Sequence, residues 1–348
     1  MVTTGSVSAT NNVSQQFQQY FSKALLARAI PLLQMEQFAQ KTPYPTKTGG
    51  NKTIRFFRFG DPSISAISAL SEGTTLTSGD ERDLTLSTVE ATLQQYGSKI
   101  VLTDVLLATE LFSHLAQATM QLGEDAALHA DTLCHRALVQ DSSTSTGTGV
   151  ATKSYNRYAQ NSTNGTTWAT GSVANSAMTA TDLLDGATSL FIARAPKIKD
   201  GYALVAHPAV IRDLQQDDDW LKVSSYSNPE AIFKGEIGKL FGVSVVSSTN
   251  VQTFNTSASG IAELSVGTTG VNTGYANILL GGGAFGVPNL SGIAGSGSPF
   301  SPKVTILDAA DKSDPYGQRV VASFKTFYAA KQLDTRFFRV IVAKSNYS

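Results

Sequence analysis

The sequence has a single cysteine, Cys134, so no intrachain disulfide can form and a secreted scaffold stapled by cystines is excluded. It has no surplus of either charge: 27 Lys and Arg balance 27 Asp and Glu, and charged residues make up only 16%. A protein that grips nucleic acid by neutralising phosphates needs a basic stripe, which this balance argues against, although local patches are still allowed. No run approaches the roughly 18 apolar residues of a membrane helix. Met1 to Gln19 lacks a basic stretch followed by an apolar one, so no secretory signal is expected. Together these absences lead us to expect a soluble chain, made and kept in a reducing cytosol.

What is present is a globular composition, 348 residues with 41% hydrophobic side chains, enough for one elaborated domain or two subdomains. Residues 1–22 are polar, with scattered anchors at Val13, Phe17, Tyr20 and Phe21, and read as an arm that orders only against something else. Lys23 to Gln40 has a rough helical spacing interrupted by Pro31. After Pro43, Pro45, Gly49 and Gly50, the alternation Thr53-Ile-Arg-Phe-Phe-Arg-Phe59 predicts a strand. Leu84 to Leu93 is a second extended run whose apolar phase changes, which a bulge near Ser87 would explain. The two form a long ribbon with a polar tip, marginal alone and in need of a partner surface.

Leu111, Leu115, Ala118, Leu122, Ala126, His129, Leu133 and Ala137 recur near the helical period, predicting one helix from Asp104 to Gln140, about 50 Å long. Thr103 or Asp104 would cap it. Gly123 inside it implies a bend or a close packing contact. Residues 141–180 hold sixteen Ser or Thr and three charges, a polar insert read as a hairpin or surface loop around Tyr155, Tyr158 and Trp168. Beyond it the pattern predicts a helix from Thr181 to about Ala193, a strand Tyr202 to Ala206, a helix from Pro208 to Leu214 and a strand Val243 to Ser247. A polar stretch, 252–274, precedes strands at Tyr275 to Leu280, Val304 to Leu307, Arg319 to Ala330 and Phe337 to Ala343.

Few groups could carry chemistry. Gly281-Gly-Gly-Ala-Phe-Gly286 formally fits a dinucleotide-binding turn, but Pro288, Asn289, Gly292 and Gly295 follow, leaving no helix to hold a pyrophosphate, and a glycine-rich turn is the better reading. His114, His129 and His135 share a helix without metal-ligand spacing, so no metal site is expected, and His129 reads as a hydrogen-bonded core or interface histidine. His207 reads as a strand-end residue. Asp217-Asp-Asp219 lacks the alternation of a calcium loop and reads as a solvated helix end. Cys134 reads as a structural thiol. No Walker loop and no nucleophile elbow occur, so no catalytic residue and no cofactor are expected. Arg55, Arg58, Arg82 and Lys99 put positive charge on the ribbon, answered by Asp61, Glu72, Asp80, Glu81 and Asp83, a balance suited to one side of a protein interface.

An ordered set of segments carries a resemblance: Gly50-Asn-Lys-Thr-Ile-Arg-Phe-Phe-Arg-Phe59, Leu70-Ser-Glu-Gly73, Leu93-Gln-Gln-Tyr-Gly97 with Leu102-Thr-Asp104, Gly201-Tyr-Ala-Leu-Val-Ala-His-Pro208, Gly235-Glu-Ile-Gly238 with Phe241-Gly-Val-Ser-Val-Val-Ser-Ser248, and Asp314-Pro-Tyr-Gly-Gln318. In this order the chain resembles the major capsid proteins of tailed bacteriophages with the Hong-Kong-97-type shell fold, and among them the N-four-type capsid family. The resemblance implies an α+β fold: an N-terminal arm in 1–50, an extended two-stranded loop over a neighbour in 51–103, and a peripheral domain with a long spine helix and the polar insert in 104–180. An axial domain would occupy 181–299, and 300–348 would return to the peripheral sheet. It implies a structural subunit that assembles with itself into pentamers and hexamers around a double-stranded DNA genome, without sequence-specific binding and without a membrane. Portal, scaffold and decoration proteins are the implied partners. No long charged N-terminal segment of the kind cleaved as an internal scaffold is evident, so the scaffold is expected as a separate protein. The intersubunit contacts expected are Phe17, Tyr20, Arg55, Phe57, Arg58, Glu72, Glu81 and Arg82. An encapsulin-like cellular nanocompartment is the alternative with the same fold, and an α/β enzyme using the glycine turn is a third reading.

Overall fold

The structure, a computed structural model, describes residues 25, 33–43, 52–60, 72, 85–109, 113–139, 156–158, 177–199, 201–217, 239–257, 260–266, 273–289, 303–307, 316 and 318–345. A 3-10 turn at Glu36–Phe38 leads into β1 (Gln40–Pro43), followed by β2 (Thr53–Phe59), β3 (Leu86–Thr92) and β4 (Gln94–Thr103). Two helices follow, α1 (Asp104–Thr109) and α2 (His114–Val139), then β5 (Asn156–Tyr158), α3 (Ala180–Ile192), β6 (Tyr202–Ala206) and α4 (Pro208–Gln215). Next come β7 (Lys239–Leu240), β8 (Val243–Ser247), β9 (Gln252–Ser257), β10 (Gly260–Val266), β11 (Thr273–Leu280) and β12 (Phe285–Asn289). The series ends with β13 (Lys303–Leu307), β14 (Arg319–Tyr328), β15 (Lys331–Gln332) and β16 (Phe338–Lys344). Helices mix with mostly antiparallel strands, as expected of an α+β chain.

β11 and β16 form the hinge between two cores. They pair antiparallel from Gly274↔Lys344 to Leu280↔Phe338, and the opposite edge of β11 is shared by β9 and β6. Because side chains alternate along a strand, Ala276, Ile278 and Leu280 with Phe338, Val340 and Val342 face one core. Tyr275 and Leu279 with Ile341 and Ala343 face the other. The first core is closed by α2 and by Ala322, Phe324 and Tyr328 of β14; the second by α3 and α4 with β6 and β8. β6 and β8 pair parallel, with α4 in the crossover between them.

Local chemistry explains where these elements begin. Thr179 caps α3, its hydroxyl accepting from the Asp182 N–H while Asp182 accepts from the Thr179 N–H, a reciprocal capping box. Asp217 Oδ2 accepts the Ala180 N–H at 2.8 Å, so the acidic stretch after α4 serves a neighbouring helix start rather than only a solvated end. Pro208 takes the first position of α4, where no N–H partner is lost, and His207 caps it through Nδ1.

Several expectations are corrected. The single helix over 104–140 is two helices, α1, which buries no side chain, and the 26-residue α2, with Ser113 outside both. At Gly123 the expected close contact is the one found: α2 passes through it, and a Cβ there would lie 2.7 Å from the Leu25 carbonyl oxygen. The buried face starts at Ala118, Leu122 and Ala126 but continues through Ala130, Cys134 and Leu138, because a four-residue step winds slowly around the helix; His129, Leu133 and Ala137 are only half-buried.

β2 and β3 pair residue for residue from Thr53↔Thr92 to Phe59↔Leu86, so no bulge forms at Ser87. The change of apolar phase instead leaves Leu86 exposed on the face opposite Val89 and Ala91. β4 pairs over its whole length with β14, from Arg319↔Thr103 to Tyr328↔Gln94, so residues 94–103, Lys99 included, belong to a sheet rather than to the ribbon. Gln40 starts a strand parallel to β12 instead of ending a helix. The polar stretch 252–274 contains the antiparallel pair β9 and β10; in β10 Ala262, Leu264 and Val266 alternate with Glu263 and Ser265, a strand pattern masked by the Gly, Ser and Thr around it. From the insert, β5 joins the large sheet parallel to β16.

Candidate functional site

The alternation in β2 sorts its side chains onto two faces. Ile54 and Phe56 point inward and are buried with Ala91 and Ala329, flanked by Val89, Leu93 and Leu333. The Phe56 ring lies where a Cβ on Gly286 would stand, so that glycine lets the ribbon settle on β12. Arg58, the third inward residue, reaches Asp334, with Nη1 2.6 Å from Oδ2. Outward, Arg55 pairs with Glu90 across the ribbon at 2.7 Å. Next to that pair, Phe57 is 61% exposed, Phe59 59% and its cross-strand partner Leu86 53%, an apolar patch open to solvent.

Asp334 was not expected from the sequence. It precedes the 3-10 turn Thr335–Phe337 and caps it, Oδ1 accepting the Arg336 N–H at 2.9 Å. Arg336 Nη2 stands 3.2 Å from the same Oδ2 that receives Arg58, and both guanidinium groups lie over the Phe337 ring, at 5.5 and 5.6 Å. The local signal, an acidic residue just before Thr-Arg-Phe, marks a cap but names no partner 276 positions earlier in the chain, since 334 − 58 = 276.

A second polar cluster, also missed, fixes the segment before β1 to α2. Asp131 Oδ1 accepts the Met35 N–H at 2.8 Å, with Gln34 donating as well, and Oδ2 accepts from Asn250 Nδ2 at 3.3 Å. Asn250 also donates to the Leu128 carbonyl, and Thr132 donates to Asn250 Oδ1. Burial pushes the Asp131 carboxyl up to about 6, against these hydrogen bonds. Glu36 is raised by burial too, despite Lys41 3.6 Å away. The available signal was a lone acid among the buried positions of α2.

The groups weighed for chemistry are structural. Cys134 is fully buried with Sγ 3.1 Å from the Tyr328 hydroxyl, and burial raises both groups, so the thiol stays protonated. His135 is completely buried with neither ring nitrogen hydrogen-bonded, and burial lowers it to about 4. His129 meets Tyr96 edge-on at 4.7 Å instead of through a hydrogen bond at Nε2. Gly281 to Gly283 form the turn between β11 and β12, with Gly283 at φ 74°, while Gly286 lies in β12, so a strand follows rather than a helix. Among the described residues no group of three His, Cys, Asp or Glu could hold a metal ion, and no helix is long and apolar enough to cross a membrane.

The model of a family described as phage capsid protein matches residues 86–287, more than half of the chain. The chain belongs to the phage capsid protein family. Solved structures similar to this capsid protein include the capsid of Ralstonia phage GP4, 14% identical, covering 89% of this chain and 87% of that one at a TM-score of 0.62. The capsid of cyanophage Pam1 is 14% identical over 92% and 93% at 0.62, and that of cyanophage P-SCSP1u 17% identical over 90% and 89% at 0.60. No curated protein matches in sequence. The fold is thus the Hong-Kong-97-type shell fold that the sequence resembles, and the family places the capsid protein in a phage shell rather than in a cellular nanocompartment.

Of the contacts expected for the capsid protein, the structure gathers Arg55 and Phe57 on the outer face of the ribbon. Arg58 faces inward, where Asp334 of its own chain engages it. Glu72 is exposed, and Phe17, Tyr20, Glu81 and Arg82 lie outside the described residues.

Proposed function

We propose that this capsid protein builds the icosahedral head of a tailed phage by laying the outer face of its ribbon on a neighbouring copy. The observation that carries the reading is the open patch of Phe57, Phe59 and Leu86 beside the Arg55–Glu90 pair. Apolar area of this kind on a two-stranded ribbon gains by being covered, and a self-assembling shell offers the same cover to every copy. In this reading 1–50 is an arm and 51–92 the overlapping loop, α2 and the β13–β14–β4 sheet form the peripheral part, and α3, α4 and the large sheet form the axial part that meets its copies in pentamers and hexamers. Assembly takes place in the host cytoplasm with a separate scaffold, a portal and decoration proteins as partners. The shell encloses double-stranded DNA, and its neutral charge leaves the packaged genome free to enter and leave.

Replacing both ring positions, Phe57→Ser with Phe59→Ser, tests this. The rings are exposed, so the subunit should keep its melting temperature, while sedimentation should show shells replaced by free subunits or capsomers. Normal yields of closed shells from the double variant would contradict the role given to the ribbon.

A further inference from the structure

We infer that Arg58 and Asp334 form an intrachain clasp that sets the tilt of the ribbon on the body, and through that tilt the curvature at which copies of this chain join. The inference rests on the ribbon being the element laid on a neighbour.

Three inward side chains follow one another along β2, each on a different seat. Ile54 packs in the small cluster with Ala329, and Phe56 lies against Gly286. These contacts are apolar and non-directional, so they hold the foot of the ribbon while leaving it able to pivot. Arg58 stands two residues farther out, about 7 Å along the strand at roughly 3.3 Å per residue. There it meets Asp334 in a charge-assisted contact, which is directional and short, while its guanidinium lies over Phe337. A pivot at Phe56 would break that contact first.

The acceptor is anchored to the body. Asp334 is almost fully buried, its carboxylate receives the Arg336 N–H and side chain, and its own N–H donates to the Ala284 carbonyl at 3.3 Å. The neighbouring Leu333 N–H donates to the same carbonyl at 2.9 Å, and the Phe337 carbonyl accepts the Gly281 N–H at 2.8 Å. The carboxylate therefore cannot follow the ribbon, and one tilt satisfies the pair. The outer face, with Phe57 and Phe59 on the same strand, turns as the ribbon turns, so the tilt fixes the direction in which a neighbour is met.

The test uses the full chain below its assembly concentration, with spin labels on Thr88→Cys of β3 and Asp125→Cys of α2; native Cys134 is buried and stays unlabelled. The label-to-label distance distribution should be narrow with Arg58 and broadened by Arg58→Ala. Arg58→Lys keeps the charge but not the fork and should fall between the two. On assembly, Arg58→Ala should give particles of mixed diameter or open sheets, with partial return of uniform heads in Arg58→Lys. An unchanged distance distribution would overturn the clasp, and a broadened one with heads of wild-type diameter would overturn its link to curvature. If Arg58→Ala does not fold, Arg58→Lys decides by the same two readings. Failure of the ribbon reading itself has its own signature, normal shells from the Phe57 and Phe59 double variant.

Discussion

At the scale of single residues, two buried groups on α2 act in opposite directions as the pH falls. His135 titrates near 4 in the folded chain against an ordinary 6.5, so it contributes stability above pH 6.5 that is lost as the pH drops toward 4. Asp131 titrates near 6 against an ordinary 3.8, so its contribution is full below 3.8 and is lost as the pH rises through 6; Glu36 has the same sign. His135 and Asp131 each account for up to about 3 kcal/mol at roughly 1.4 kcal/mol per unit, and over the acid range these two largely cancel. The urea midpoint of the unassembled subunit should therefore change little between pH 6.5 and 4. Asp131→Asn, which keeps an acceptor for the Met35 N–H, should expose a steep acid loss, and His135→Leu should reverse it into a gain. A wild-type and an Asp131→Asn profile of equal slope would contradict the opposition.

At the scale of elements, α2 and the segment containing Leu25 and Met35 are matched by a missing side chain and a present one. Gly123 admits the Leu25 carbonyl, and Asp131 holds Met35 two turns farther along the helix. Gly123→Ala would gain about 1 kcal/mol of helix propensity yet should lose about 1–3 kcal/mol to the backbone clash, so the melting temperature should fall and the segment around Leu25 should become easier to cleave by protease. A raised melting temperature would contradict the close contact. Elements bounded by breakers and built of apolar runs were legible from sequence: β2, β6 and β8 begin and end where Thr53 to Phe59, Tyr202 to Ala206 and Val243 to Ser247 predicted. Those whose reason lies elsewhere in the chain were not. β9 is a polar strand made by pairing with β10, β1 is a strand because β12 lies beside it, and α1, which buries no side chain, is separate from α2.

At the scale of the whole molecule, the same division separates the site's two faces. Of the outer face of the ribbon, Arg55 and Phe57 were read from the sequence, while Phe59 and Leu86 were not, because each face of β2 carries both an Arg and a Phe. The inner face was not readable, because Arg58 and Asp334 are brought together only by the fold, and an arginine on an exposed-looking strand gives no sign of which way it points. The resulting account is of a subunit with two well-packed cores joined through β11 and β16, from which a clasped ribbon presents an uncovered apolar face. Subunit stability and shell assembly are then coupled at the ribbon, whose apolar face gains by being covered. Cryo-electron microscopy of particles formed by the full chain, expressed alone and with a candidate scaffold protein, tests this most directly. The account predicts closed icosahedral shells in which Phe57, Phe59 and Leu86 are covered by a neighbouring copy. A chain that stays monomeric in both conditions, or shells in which that face remains open to solvent, would contradict it.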